Sequence, residues 1–202
     1  PAGKRLFLFG GRGEGGGLGD LWEWDSGAWK PRLPEGPSPS ARSNGAGAGS
    51  GPYAVLFGGW NGSAFLDDTW EWDGARWARG AGDHPPRGAA AALVFDAARS
   101  EIVLFGGWAP PSTWVETWVR AGGAWRIAQR GLPRNRSAHM MAWDRRRGVA
   151  VLFGGWFGTD VSLNDTWEWD GRAWTERRPP ASPGTRVAAG FAYDARRGVT
   201  VL

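Results

Sequence analysis

Apolar residues occur along this chain in short runs that are bounded by Gly, Pro, Asp and Asn. The runs are rich in Val, Phe, Trp and Ala, which is typical of β-strands rather than helices. Where the pattern is clearest, it predicts strands at 138–143, 149–153, 165–169 and 173–176, with a turn at 144–148. No helix is predicted anywhere. The pattern therefore predicts an all-β fold made of four-stranded antiparallel units.

The same pattern recurs with a nearly fixed period. The word LFGG begins at residues 8, 56, 104 and 152, a spacing of 48 residues each time. A tryptophan-rich word follows it at 21–25, 69–73, 117–120 and 166–170, and a further tryptophan column contains Trp29, Trp77, Trp125 and Trp174. A long period of this kind is typical of solenoids, propellers and arrays. Four strands per period is the content of one propeller blade.

The diglycines and the tryptophans are predicted to be the structural positions of this repeat. The glycines are Gly10, Gly11, Gly58, Gly59, Gly106, Gly107, Gly154 and Gly155. Without Cβ atoms they allow positive φ, a bulge, or close approach of a neighbouring backbone. All but two of the 16 tryptophans fall in four recurring columns, and each ring can bury about 150–250 Å². We expect the glycines to bend each blade and the tryptophans to fill the space between blades.

The order of these words resembles the kelch repeat over nearly the whole chain. A strand is followed by LFGG, a loop, Asp-Thr-Trp-Glu-Trp-Asp-Gly at 68–74, Trp77, and a Pro-Arg linker. This resemblance implies a β-propeller of the kelch or galactose-oxidase-like kind. The WD dipeptides do not predict a WD40 fold, because no Gly-His pair precedes them and the period exceeds about 40–45 residues. The Asp-Gly-x-x-Trp word at 73–77 is similar to the Asp box of sialidases, but that family does not usually have a diglycine in every blade.

Residues 1–202 are predicted to form one propeller segment of about four repeats. The units are predicted at 5–43, 44–88, 89–136 and 137–186, with a partial unit at 187–202. Because kelch rings usually have five to seven blades and the chain begins and ends at second strands, we expect a fragment of a larger ring. Exposed blade faces would then favour self-association. The alternative is a four-bladed ring closed by pairing 188–193 with 6–9, which would leave 199–202 without a place.

Composition narrows the function only in part. The chain has no cysteine, which excludes disulfides and thiol chemistry, and no apolar run is long enough for a membrane span. Its Ala, Gly and Arg usage favours a bacterial source. An extracytoplasmic or secreted location is favoured for a protein of this kind. The net charge is +4. Arginines at 145–147 and 196–197 are interpreted as solvated turn residues rather than a nucleic-acid site, because the aromatic residues are needed for packing.

The loops on one face are the candidate binding surface. Loops joining second to third strands, at 12–19, 61–66, 109–113 and 157–163, differ between units while the scaffold is constant. The linkers between units are expected on the same face and end in Arg42, Arg87, Arg136 and Arg186, which we expect to ring the mouth of a central channel. In one interpretation these arginines pair with Asp20, Asp68, Glu116 and Asp165, or stack on tryptophan. In the other they attract acidic peptides or anionic sugars.

No catalytic residue, metal ligand or cofactor is predicted. Glu23, Glu71 and Glu168 recur between tryptophans, which indicates a scaffold role rather than the single carboxylate pair of a glycosidase. Galactose oxidase binds copper through two tyrosines, one cross-linked to cysteine, and two histidines. This chain has only Tyr53, Tyr193, His84 and His139 for such a site, in no matching motif. His139 is interpreted as a packed structural residue and His84 as a loop residue.

The predicted function is a noncatalytic scaffold that binds protein or peptide, with carbohydrate as a second class of ligand. The alternative is the propeller part of a secreted carbohydrate-active enzyme or galactose-oxidase-like oxidase whose catalytic residues lie outside this segment.

Overall fold

The computed structural model describes residues 6–25, 27–50, 53–158 and 160–202, and these residues form an all-β structure without a helix. The start of the predicted unit 5–43, and Thr159 within the predicted loop 157–163, lie outside these ranges. The first sheet has three strands, β1 (Leu6–Gly13), β2 (Gly16–Asp25) and β3 (Ala28–Arg32). Since the described part contains no helix, it offers none that could cross a membrane.

Three four-stranded antiparallel sheets follow, as the periodicity predicts. The second sheet contains β4 (Ala46–Ser50), β5 (Tyr53–Trp60), β6 (Phe65–Trp72) and β7 (Trp77–Arg79). The third contains β8 (Ala92–Asp96), β9 (Glu101–Phe105), β12 (Thr117–Ala121) and β13 (Ala124–Gln129), with a small hairpin of β10 (Trp108–Ala109) and β11 (Ser112–Thr113) between its second and third strands. The fourth contains β14 (Met140–Asp144), β15 (Val149–Phe157), β16 (Val161–Trp169) and β17 (Trp174–Arg177).

The last sheet has two strands, β18 (Ala192–Asp194) and β19 (Val199–Val201). Within the described ranges no closed ring is seen, because β1 pairs with β2 and β18 pairs with β19. The alternative pairing of 188–193 with 6–9 is therefore not formed.

Each diglycine joins one sheet to the linker that begins the next. The pairing register shifts at this point in β1, β5 and β15. Gly10 has a φ of +66°, and a Cβ there would lie 2.6 Å from the carbonyl oxygen of Arg42. The following N–H, that of Gly11, donates to the same oxygen at 2.8 Å. The equivalent bonds are Gly59 to Gly88, Gly107 to Arg136 and Gly155 to Arg186. A side chain at the first glycine would thus be both strained and obstructed.

Tryptophans of the fourth strands pack on the preceding sheet. The Trp125 ring lies 5.9 Å from that of Phe57, and its Nε1 donates to Thr69 Oγ1 at 2.9 Å. One sheet further on, Trp174 contacts Phe105 at 5.5 Å and donates to Thr117 Oγ1 at 2.7 Å. We call this repeated contact between consecutive sheets the seam. Buried apolar residues of consecutive sheets cluster around it.

First strands of neighbouring sheets also lie side by side: β4 packs on β8, β8 on β14, and β14 on β18. A series of backbone hydrogen bonds links the residues before these strands. The N–H of Ala90 donates to Asn44, that of Ala138 to Ala90, and that of Ala188 to Ala138, each at 2.8 Å. All four residues have φ between +49° and +56°, a region that non-glycine residues seldom occupy. The recurrence of this strained conformation indicates that neighbouring sheets impose it.

Candidate functional site

The linkers between sheets lie against the ends of the second strands, next to the turns that join second to third strands. Isolated backbone bridges connect Ser43 with Trp60, Ala89 with Trp108, and Ser137 with Trp156. We call the surface formed by the turns 61–64 and 109–113 and the linkers 80–89 and 130–137 the loop face. These bridges fix the backbone on which the variable turns are carried.

Two of the four predicted ring arginines are buried inside ion pairs. Arg42 is 2% exposed, and its Nη1 and Nη2 donate to the two oxygens of Asp68 at 2.6 and 2.8 Å. Arg136 is fully buried and makes the same paired contact with Asp165 at 2.7 and 2.8 Å. In both cases Nη1 also donates to the first glycine carbonyl of the diglycine, at 3.0 Å. These two guanidiniums therefore attach each linker to the second and third strands of the sheet that follows it.

The charge of these arginines sets the ionisation of their partners. Burial acts to raise the pKa of Asp68 and Asp165, but the hydrogen bonds and positive charge of Arg42 and Arg136 outweigh it. Indole N–H groups of Trp70 and Trp167 add a further bond to each carboxylate. The pKa of each aspartate is consequently below its ordinary value, and both stay ionised near neutral pH.

Arg87 and Arg186 occupy different surroundings, because both are exposed. In the linker before the third sheet, the residue at the backbone position of Arg42 is Gly88, whose N–H donates to Leu66 O at 2.9 Å and whose carbonyl oxygen accepts from the N–H of Gly59. Arg87 lies one residue earlier and makes no ion pair within the part of the chain that the structure describes. Arg186 keeps the backbone position of Arg42, and its Nη1 donates to Gly184 O at 2.9 Å. Of the four predicted ring arginines, only Arg87 and Arg186 are exposed to solvent. Ligand binding by this ring stays a prediction.

Trp114 fills the space that an arginine side chain takes elsewhere. A Cβ on Gly88 would lie 2.5 Å from Trp114 Cζ2. The indole is buried and packs edge-on against Phe57, with ring centroids 6.0 Å apart. Sequence reasoning missed this replacement of arginine by Trp114, although two signals were present. Trp114 stands outside the four tryptophan columns, and Arg87 lies three residues before Ala90, whereas the other arginines lie two residues before the equivalent residue of positive φ.

An exposed aromatic cluster lies on the loop face where the second and third sheets meet. The Phe65 ring is 4.8 Å from that of Trp60 and 5.0 Å from that of Trp108. Trp108 is 41% exposed, and the other two rings are half-buried. We call these three residues the aromatic patch. On the fourth sheet, the guanidinium of Arg134 lies 5.0 Å from the ring of Phe157, so a cationic group accompanies an aromatic ring there.

The repeated glutamates all contact arginines. Glu23 pairs with Arg32, Glu71 with Arg120, and Glu168 with both Arg147 and Arg177. Glu23 and Glu168 are also buried. Such contacts agree with the scaffold interpretation of these carboxylates.

His139 packs inside the fold, against the ring of Phe105 at 5.5 Å. Burial first, and then the nearby charge of Arg136, lower its pKa to about 3, so the imidazole is neutral near pH 7. His84 is exposed and its Nδ1 lies 3.0 Å from the carbonyl oxygen of Pro85. Among the described residues no three His, Asp or Glu side chains converge in a way that could hold a metal ion.

No protein-family model matches the chain, and a search of curated proteins returned no relative. Function is therefore inferred from the geometry of the chain itself.

Proposed function

We propose that this chain is a segment of a kelch-type β-propeller and acts as a noncatalytic scaffold that binds protein or peptide through its loop face. Three consecutive four-stranded sheets with one seam chemistry support the propeller interpretation. The turns on the loop face differ in length and sequence while the seam stays constant. Variable loops on a rigid frame are a common arrangement for recognition.

The aromatic patch is the observation that supports binding most strongly. Half-exposed tryptophan beside a second aromatic ring is typical of interaction hot spots, in which a few residues provide most of the affinity. The patch is also held in place, because Trp60 and Trp108 are fixed by the backbone bridges to the linkers. Little conformational entropy would be lost when a partner binds there.

The geometry of the patch favours a peptide over a sugar. The interplanar angle is 54° between Trp60 and Phe65 and 90° between Phe65 and Trp108. Rings that meet at such angles form a notch for an apolar side chain, whereas a sugar stacks best on one flat aromatic face. The exposed arginines Arg87 and Arg134 lie on the adjoining linkers, so acidic residues beside the apolar anchor would complement the surface.

A peptide-library selection against the purified chain tests this function, followed by affinity measurements on two matched variants. Trp108→Ser should weaken binding of the selected peptides by about tenfold or more, as expected for a hot-spot residue. Trp29→Ser is the control, because Trp29 is 42% exposed but lies on the first sheet away from the loop face. Failure to select any peptide, or equal losses in the two variants, would contradict the proposal. Saccharide binding that is abolished by Trp108→Ser would favour the carbohydrate alternative.

A further inference from the structure

Three hairpins that join first to second strands share one turn design. In the fourth sheet, Asp144 accepts from the N–H groups of Arg146 and Arg147 at 3.0 Å and from Arg147 Nε at 2.6 Å. In the last sheet, Asp194 makes the equivalent bonds to Arg196 and Arg197 at 2.7–3.0 Å. The third sheet repeats the design with Asp96 and Arg99. The aspartate and the arginine three residues later therefore define the turn.

The two residues between them are not needed for the turn. They are Ala97–Ala98 in the third sheet, Arg145–Arg146 in the fourth and Ala195–Arg196 in the last. Because the alanine version forms the same hydrogen bonds, the hairpin does not explain why Arg145, Arg146 and Arg196 are arginines. All three are exposed, and they form no ion pair with any side chain in the described ranges. The neighbouring carboxylates Asp144 and Asp194 already pair with Arg147 and Arg197.

These arginines converge on one cavity between the last two hairpins. Its volume is about 370 Å³, which is within the range of small-ligand sites, and its lining is Arg145, Arg146, Tyr193, Ala195, Arg196, Arg197 and Gly198. The absence of a side chain at Gly198 allows the approach, since a Cβ there would lie 3.1 Å from Arg146 Nη1 and 3.9 Å from Tyr193 Oη. We call this cavity the basic groove.

We infer that the basic groove is a binding site for a phosphate group. Three guanidiniums that form no ion pair in the described ranges carry three positive charges, which suit a phosphate dianion better than a singly charged carboxylate. Guanidinium donates to phosphate oxygens in a planar, paired geometry, and the Tyr193 hydroxyl adds a further donor. An anion at this position also relieves the repulsion among the arginines. The groove lies at the hairpin turns, apart from the loop face, so this inference is independent of the proposed scaffold function.

Titration of the 202-residue chain with inorganic phosphate and with a sugar phosphate, at constant ionic strength, tests the inference. Calorimetry should show saturable binding of at least one of them. Tighter binding of the sugar phosphate identifies an organic phosphate ester as the ligand class, and equal binding identifies free phosphate. Either result supports the groove. No saturable binding, or equally tight binding of acetate, overturns it.

Two triple variants identify the residues responsible. Replacement of Arg145, Arg146 and Arg196 by alanine gives turns like that of the third sheet, so we expect an unchanged fold and about a tenfold or greater loss of affinity. The control replaces Arg12, Arg76 and Arg172, which are also exposed but lie elsewhere, Arg12 near the end of β1 and the other two in the turns that follow β6 and β16. It removes the same charge. The control should bind phosphate as the parent chain does. Equal losses in both variants would show that net charge alone causes binding and would overturn the proposal.

Discussion

His139 is the residue whose ionisation differs most clearly between the folded and unfolded chain. The neighbouring sheets have Gly45, Ala91 and Ala189 at its position, after the left-handed residue, whereas His139 places an imidazole in the seam with 5% exposure. Its pKa is about 3 in the fold and about 6.5 in an unfolded chain. Between these values only the unfolded state binds the proton. Stability therefore decreases as the pH falls from about 6.5 toward 3.

The expected loss of unfolding free energy from this residue is about 2 kcal/mol between pH 7.5 and pH 5. Urea denaturation at the two pH values measures it. In His139→Ala this pH dependence should disappear, whereas the exposed-loop control His84→Gln should keep it. The lowered pKa values of Asp68 and Asp165 place their titration below this window. An unchanged pH dependence in His139→Ala would show that another group is responsible.

The sequence predicts Arg136 and Arg87 as equivalent members of one ring. Their different surroundings in the structure predict that alanine substitution will change the free energy of unfolding by different amounts. Arg136→Ala leaves the carboxylate of Asp165 without its partner inside the fold, so unfolding free energy should fall by about 3 kcal/mol or more. Arg87→Ala alters an exposed side chain and should change stability by less than about 0.5 kcal/mol. Denaturant unfolding of both variants checks the difference. Equal effects would mean that the ion pair does not stabilise the sheet.

The seam is the element that repeats, and its polar contact varies in an informative way. Trp125 and Trp174 each donate to a threonine of the preceding sheet. The equivalent Trp77 faces the first sheet, which has Leu21 at that position, and its buried Nε1 has no acceptor among the residues that the structure describes. Packing alone is thus sufficient for one seam, while the other two also contain a hydrogen bond.

A double-mutant cycle measures the value of that hydrogen bond. Thr117→Val leaves the Trp174 N–H without an acceptor and should cost about 1–3 kcal/mol of unfolding free energy. In a Trp174→Phe background, which has no N–H to satisfy, the same substitution should cost little. The difference is the coupling energy between the two side chains. Additive costs would show that the threonine acts only through packing.

The strands and the diglycine joints were predictable because they depend on local patterns that recur. The structure adds length to β15 and β16, which continue past the predicted ends to Phe157 and back to Val161. The replacement of a buried arginine by Gly88 and Trp114 was not predicted. It depends on which linker residue offers its carbonyl oxygen to the N–H of Gly59, and the sequence pattern does not show this. The contact between Phe65 and Trp108 likewise joins residues of two sheets, and the pattern within one repeat contains no information on such a pair.

At the scale of the whole molecule, the described sheets form a series whose two ends differ from its middle. The first sheet leaves Trp24 and Trp29 37% and 42% exposed, although Trp77, Trp125 and Trp174 at the position of Trp29 are buried. Val199 and Val201 of the last sheet are also exposed. The loop face and the hairpin turns lie at opposite ends of the second strands, so the two proposed sites can be tested separately.

Amide hydrogen exchange, measured with and without a peptide selected from the library, tests the binding-scaffold proposal most directly. The proposal predicts slower exchange on peptide addition in the turns 61–64 and 109–113 and in the linker 130–137, with no change at the hairpin turns 144–148 and 194–198. Protection at the hairpin turns alone, or protection nowhere in the chain, would contradict binding through the loop face.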